Sequence, residues 1–172
     1  PQNIFKKLKT NKKNNFLYVA SGEPHKNHRI LIESWKLLSA NNIFPSLFLT
    51  LDQSKHPELC DWISIESKKF DLKIINLGLV QHENIQDLYL TAGALIYPSL
   101  FESFGLPLLE ASKVGLPVVA AELDYVRDLI DPDQTFNPLS AFSISKAVER
   151  FLKIKPKKES EILTPYEFLK DI

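Results

Sequence analysis

Residues 94–122 read ALIYPSLFESFGLPLLEASKVGLPVVAAE. The stretch contains two short apolar runs, ALIYPS (94–99) and LPVVAAE (116–122), whose length and composition favour strands buried on both faces. Between them, GLPLLEASKVG (105–115) predicts a helix, because Pro107 suits a first helical turn and Gly115 suits a helix end. Two strands joined by a helix predict a parallel pair with a helical crossover.

The same alternation extends toward both ends of the chain. Three earlier runs also have strand character, namely FLYVA (16–20), SLFLTLD (46–52) and LKIINLG (72–78). Segments of helical character cover residues 25–42, 57–70, 83–93, 124–130 and 140–155. Asn27 is the predicted N-cap of the first helix, and Ser140 or Ser143 that of the last. The pattern predicts an α/β fold, a Rossmann-like parallel sheet with helices on both faces.

Composition defines the broad class of protein. The chain has 172 residues, with 21 Lys plus Arg and 21 Asp plus Glu, so net charge gives no reason to expect a nucleic-acid partner. Cys60 is the only cysteine, which excludes an intrachain disulfide framework. No apolar run approaches the roughly 20 residues of a membrane span, and we expect a cytoplasmic protein. The predicted divisions are a polar arm (1–15), one ligand-binding domain (16–155) and a polar tail (156–172).

Two glutamates, Glu102 and Glu110, flank the helix that begins near Gly105. Ligands of parallel sheets bind beyond the carboxyl ends of the strands, and a helix N-terminus there favours an anion. A carboxylate on either side of that anion site could accept hydrogen bonds from vicinal hydroxyls. The arrangement suits a nucleotide sugar. The simpler alternative is that Glu102 is a solvated loop residue and Glu110 only interacts with the helix dipole.

Lys26 lies in GEPHKN, directly after the first predicted strand and therefore at the same edge of the sheet. A cation there can neutralise charge that develops on a leaving diphosphate. The alternative is a solvated loop lysine, and His25 and His28 are interpreted as solvated loop residues. The DPD sequence at 131–133 is interpreted as a turn, and we expect no bound metal.

PSLFESFGLPLLEASKVGLPVVA (98–120) resembles the E-x7-E motif region of retaining glycosyltransferases with the GT-B fold, known as group 1 or family 4. FLYVASGEPHKNHRILIESWKLL (16–38) is similar to that family's first strand, phosphate loop and helix. LGLVQHENIQDLYLTAGALIYPS (77–99) and the segment from DYVRDLI (124–130) to SAFSISKAVERFL (140–152) are also similar. One departure is Ser21, where many relatives have an arginine that binds phosphate.

The resemblance implies a role for each matching position. Glu110 would bind the ribose hydroxyls of the donor, Glu102 the transferred sugar, and Lys26 the diphosphate. The backbone of 104–106 would hold the sugar or diphosphate, and that of 78–80 would line the nucleobase. The implied donor-binding residues are Lys26, Gly78, Leu79, Val80, Ser99, Glu102, Phe104, Gly105, Leu106 and Glu110, with Lys26 and Glu102 also catalytic.

The implied reaction moves a sugar from a UDP- or GDP-linked donor to a saccharide or lipid-linked acceptor, with retention and without a metal or other cofactor. Surface polysaccharide or glycoconjugate synthesis is the expected setting. Only the C-terminal, donor-binding half of a GT-B enzyme is matched, so we expect an N-terminal acceptor domain to be absent from this chain. The isolated domain would then be inactive alone, and contact with the inner face of the membrane would depend on the absent half.

Other functions remain as alternatives. A doubly wound regulatory module, such as a receiver domain, would need paired acidic residues near the first strand, and only Asp52 ends a strand here. A sugar-nucleotide epimerase with the GT-B fold would act on the donor without an acceptor. A phosphorylase would need a motif around a pyridoxal lysine, and none is recognised.

Overall fold

A computed structural model describes residues 12–153, so the predicted tail and most of the predicted arm lie outside the described residues. Six strands are present in this part: β1 (Asn15–Tyr18), β2 (Ser46–Leu49), β3 (Ile74–Asn76), β4 (Ala94–Tyr97), β5 (Val118–Ala121) and β6 (Gln134–Phe136). Six α-helices follow them in turn: α1 (His28–Ala40), α2 (Pro57–Lys69), α3 (His82–Thr91), α4 (Leu106–Lys113), α5 (Asp124–Arg127) and α6 (Ala141–Phe151). Short 3-10 turns at Lys12–Asn14 and Pro24–Lys26 precede β1 and α1.

The strands form one parallel sheet in the order β3-β2-β1-β4-β5-β6. The chain first moves outward from β1 to β3 and then returns to place β4 on the other side of β1, where Phe16 pairs with Ala94. Since parallel crossovers are right-handed, this reversal puts helices on both faces of the sheet. The predicted α/β, Rossmann-like class is confirmed. The reversal also makes the carboxyl ends of β1 and β4 the point where ligands bind in such sheets.

The sequence prediction missed one strand and overestimated one helix. β6 covers only Gln134–Phe136, next to β5. Three residues with two polar side chains are too few to show a strand pattern. The helix predicted for 124–130 ends as a short α5 at Arg127.

The core is formed by the central strands, since every residue of β1, β4 and β5 is buried. Phe16 of β1 packs edge-on against Trp35 of α1, with ring centroids 5.7 Å apart. Cys60 is buried on α2. No helix within residues 12–153 is long and apolar enough to cross a membrane.

The two predicted helix caps differ in outcome. Ser140 caps α6 as predicted, accepting a hydrogen bond from the backbone N–H of Ser143 at 3.1 Å. Asn27 occupies the N-cap position of α1, but its side chain makes no capping bond. Instead its Nδ2 donates to the carbonyls of Pro98 at 3.1 Å and Pro138 at 2.7 Å. The predicted N-cap position of Asn27 is therefore confirmed, but its side chain binds buried carbonyls after β4 and β6 and not the first turn of α1.

Candidate functional site

Lys26 and Glu102 meet at the carboxyl edge of the sheet, although they are far apart in the sequence. Lys26 follows β1 and Glu102 follows β4, the two strands at the point of reversal. The Lys26 Nζ lies 2.7 Å from Oε1 and 2.8 Å from Oε2 of Glu102. Their side chains are only 15% and 11% exposed. The structure thus brings together the two residues to which the sequence assigned a shared ligand.

Tyr97, the last residue of β4, fixes the same carboxylate. Its hydroxyl donates to Oε1 of Glu102 at 2.8 Å. Partial burial opposes ionisation, but hydrogen bonds from Lys26, Ser99 and Tyr97 hold the pKa of Glu102 below its usual value. Burial, together with the negative charge of Glu102, raises the pKa of Tyr97 well above its usual value. The phenol therefore stays protonated and remains a hydrogen-bond donor.

Two further tyrosines connect the loops on which the ion pair lies. Tyr18, the last residue of β1, donates to the carbonyl of Lys26 at 2.7 Å and lies 3.0 Å from the hydroxyl of Ser99. Tyr125 donates to the Ser99 carbonyl at 2.7 Å. The N–H of Leu100 donates to the His25 carbonyl at 2.8 Å, so the loops are also linked through their backbones. Ser99 thus lies in the site, where it supports both loops.

The start of α4 lies between the two motif glutamates in the sequence. Gly105 precedes the helix with φ of 58°, and a Cβ there would lie 2.6 Å from Leu129 Cδ1. No side chain caps this helix start. The first backbone N–H groups of a helix lack partners within the helix, so they can bind an anion. Phe104 and Leu106, at the same turn, are 77% and 58% exposed.

Glu110 lies one turn into α4 and faces a second part of the site. Its Oε2 accepts a hydrogen bond from the Tyr89 hydroxyl of α3 at 2.9 Å. The two side chains line a pocket of about 430 Å³ between α3 and α4. Six other residues complete the lining: His82, Glu83, Ile85, Gln86, Lys113 and Val114.

The predicted nucleobase segment lies farther along the sheet. Gly78, with φ of 74°, follows the edge strand β3, and Leu79 is 66% exposed. Gly78 to Val80 lead directly into α3 but do not line the pocket beside Glu110. The structure therefore connects this segment to the pocket through α3, and the segment is not part of the pocket lining.

The interpretation of His28 as a solvated loop residue is wrong. His28 is the first residue of α1 and is 3% exposed, with its ring centroid 4.9 Å from that of Tyr18. Neither ring nitrogen has a hydrogen-bond partner in the part of the chain that the structure describes. Burial, assisted by the charge of His56, lowers the pKa of His28 to about 3. The ring is therefore neutral at physiological pH. His25 also stacks on a ring, that of Phe101, at 4.3 Å.

Other polar positions in the sequence have structural roles. In the DPD segment, Asp133 accepts the N–H of Val118 at 2.8 Å, and Asp131 lies 2.6 Å from the guanidinium of Arg127. Ser21, where many relatives have an arginine, donates to the carboxylate of Glu23. Within residues 12–153, no three His, Cys, Asp or Glu side chains are grouped in a way that could hold a metal ion.

Sequence reasoning proposed the two glutamates and Lys26 as site residues but did not include the tyrosines that contact them. A signal was present, since Tyr18 and Tyr97 each end an apolar strand. A buried tyrosine usually needs a hydrogen-bond partner for its hydroxyl. At the carboxyl edge of a parallel sheet, such a partner is expected among the residues around the ligand-binding point. Tyr89 gave no such signal, because its partner Glu110 lies on another helix.

Comparisons with known proteins identify the family of this chain. The family model described as "Glycosyl transferases group 1" matches residues 1–164. The O-antigen chain mannosyltransferase B of Escherichia coli is 31% identical over 114 residues, which make up 66% of this chain and 30% of that protein. The serotype-specific mannosyltransferase WbdA of Escherichia coli is 28% identical over 141 residues, 81% of this chain and 17% of that protein. The chain thus spans less than a third of the length of these two relatives.

Solved structures show the same fold. HepE (Alr3699) of Anabaena, crystallised in complex with UDP and glucose, matches with a TM-score of 0.71 at 16% sequence identity. The match covers 88% of this chain and 42% of that one, which agrees with one half of a GT-B fold. The family match supports a transferase over the alternative of a doubly wound regulatory module. The chain belongs to the glycosyl transferases group 1 family.

Proposed function

We propose that this chain binds the nucleotide-diphosphate sugar from which a retaining, metal-independent glycosyltransferase moves a sugar. The observation that carries the proposal is the Lys26–Glu102 pair at the carboxyl ends of β1 and β4. The pair supplies a cation and a carboxylate at the edge of the sheet where ligands bind, and α4, whose start favours an anion, begins four residues after Glu102. Glu110 adds a second carboxylate one turn along α4.

Each group has a separate role in the proposed complex. Lys26 and the start of α4 neutralise the diphosphate, and they stabilise the charge that grows on it as the sugar leaves. Glu110 accepts hydrogen bonds from the ribose hydroxyls, and Glu102 accepts them from the transferred sugar. The backbone of 104–106 approaches the sugar or diphosphate, and that of 78–80 the nucleobase. Positive charge from the protein takes the place of a metal ion in this mechanism.

The donor and acceptor are inferred from the relatives. Two relatives are named as mannosyltransferases, and HepE was crystallised with UDP and glucose. We infer a UDP- or GDP-linked hexose as donor. The acceptor is a saccharide or a lipid-linked saccharide of surface polysaccharide synthesis, bound by a second, N-terminal domain. That domain would also bring the enzyme to the inner, cytoplasmic face of the membrane.

Calorimetric titration of the 172-residue chain with UDP and GDP tests the proposal. We expect weak binding of at least one, and Glu110→Gln should lower its affinity about 10-fold, because the ribose loses a hydrogen bond to a charged group. Glu33→Gln is the matched control, since Glu33 lies on α1 and pairs with Lys36. If neither nucleotide binds at millimolar concentration, the site assignment fails.

A further inference from the structure

We propose that Tyr89 is a positioning residue for nucleotide binding, acting through Glu110. Its hydroxyl holds Oε2 of Glu110 at 2.9 Å, so that Oε1 faces the ribose diol of the donor. This inference rests on the proposed function. It adds a residue outside the glutamate motif, on a different helix, whose side-chain hydroxyl contacts the motif.

The contact is suited to holding a carboxylate in place. Tyr89 is 2% exposed, so its ring is fixed by packing and offers the hydroxyl from one direction. Within residues 12–153, no hydrogen bond to Oε1 of Glu110 accompanies the one to Oε2. A glutamate that is free to rotate loses up to about 2 kcal/mol of side-chain entropy when a ligand orders it. Tyr89 orders Glu110 before the ligand arrives.

The protonation state of Tyr89 agrees with this role. Burial, followed by the charge of Glu110, raises the pKa of Tyr89 well above its usual value. The phenol therefore keeps its proton and remains a hydrogen-bond donor to the carboxylate. Glu110 therefore has one oxygen held in place by Tyr89.

The pocket next to this pair has room for part of a nucleoside. Its volume is about 430 Å³, within the range of ligand pockets in proteins. Tyr89 lies on the α3 wall and Glu110 on the α4 wall, so their hydrogen bond also connects the two walls. If this hydrogen bond only connected the two helices, its loss would lower the affinity for every nucleotide equally. If it positions Glu110, its loss should lower the affinity only for nucleotides that have the ribose hydroxyls.

The test compares UDP and GDP with their dideoxy analogues, which lack the ribose diol. Tyr89→Phe keeps the ring and removes only the donor. We expect it to lower the affinity for the ribonucleotide about 10-fold, because one hydrogen bond to a charged group is lost. The affinity for the dideoxy analogue should not change. Thr91→Val is the matched control, since it removes a hydroxyl from the same helix that bonds only within that helix.

Two further variants make the outcome decisive. Glu110→Asp keeps the charge but shortens the side chain away from Tyr89, and should cause the same ribose-dependent loss. In the Glu110→Gln background, Tyr89→Phe should add little, because the two act as a unit. Equal losses for both nucleotide types, no loss, or additive losses would overturn the positioning role while leaving the proposed function in place. A wild-type chain that binds neither ribonucleotide would overturn both.

Discussion

Replacing Glu102 by glutamine should strengthen the binding of a nucleoside diphosphate that carries no sugar. Glutamine keeps the shape of the side chain and an oxygen that can accept from Tyr97 and Lys26. It removes one negative charge from the place where a diphosphate has to bind. With the charge gone, Lys26 has no ionic partner at 2.7 Å and is available to the phosphates.

The magnitude follows from the geometry of the ion pair. Two unit charges about 4 Å apart interact by about 1 kcal/mol in water and about 4 kcal/mol at the effective dielectric of a protein surface. The Glu102 side chain is 11% exposed but lies at an open edge of the sheet, which favours the lower part of that range. Some of the gain is offset because Lys26 loses a partner that orders it. We expect the affinity for UDP or GDP to increase about 3- to 10-fold.

Titration at low and high ionic strength measures this effect. The increase should shrink in about 0.5 M salt, since dissolved ions screen the attraction between the protein and the phosphates of a ligand that approaches from solvent. Glu33→Gln removes the same charge from α1 and should leave affinity unchanged. Turnover with a complete nucleotide sugar in the full enzyme should fall for Glu102→Gln, because the sugar loses its carboxylate. If Glu102→Gln weakens UDP and GDP as much as Glu110→Gln does, the separate roles of the two glutamates are refuted.

Three further predictions concern stability. Because the folded pKa of His28 is about 3 against the ordinary 6.5, stability should be lost as pH falls from 6.5 toward 3; the loss is about 2 kcal/mol by pH 5. In urea unfolding, the unfolding free energy of His28→Phe should fall by about 2 kcal/mol less than that of the wild type between pH 6.5 and pH 5. The same pH dependence of stability in both proteins would contradict this. Gly105→Ala should lower the unfolding free energy by about 1–3 kcal/mol, because alanine would have to adopt a positive φ and its Cβ would clash with Leu129. Gly78→Ala, with a positive φ but open space around the added Cβ, should lower the unfolding free energy less than Gly105→Ala when both are measured by urea unfolding. Asn27→Ala removes bonds to two carbonyls and should cost about 2–4 kcal/mol in urea unfolding, so a neutral result would show that water replaces the amide.

Local pattern predicted much of the sheet because each strand of the centre is a short apolar run. Every residue of β1, β4 and β5 is buried, so hydrophobicity alone indicated them. β6 lacked that signal, because a three-residue edge strand is defined by its hydrogen bonds to β5 and not by its own composition. Buried polar residues were also harder to predict. Asn27 and His28 look like loop residues in the sequence, but Asn27 is buried against the loops after β4 and β6, and His28 packs on Tyr18 of β1.

The sequence by itself determined the alternation of strands and helices, the two glutamates that flank Gly105, and the position of Lys26 after the first strand. These follow from local pattern and from the rule that ligands bind at the carboxyl ends of parallel strands. Only the tertiary structure decided which side chains contact one another. It pairs Lys26 with Glu102, 76 positions later, and Tyr89 with Glu110. Such contacts depend on the strand order and on where a buried hydroxyl or cation finds a partner, and neither is encoded in the spacing of residues along the chain.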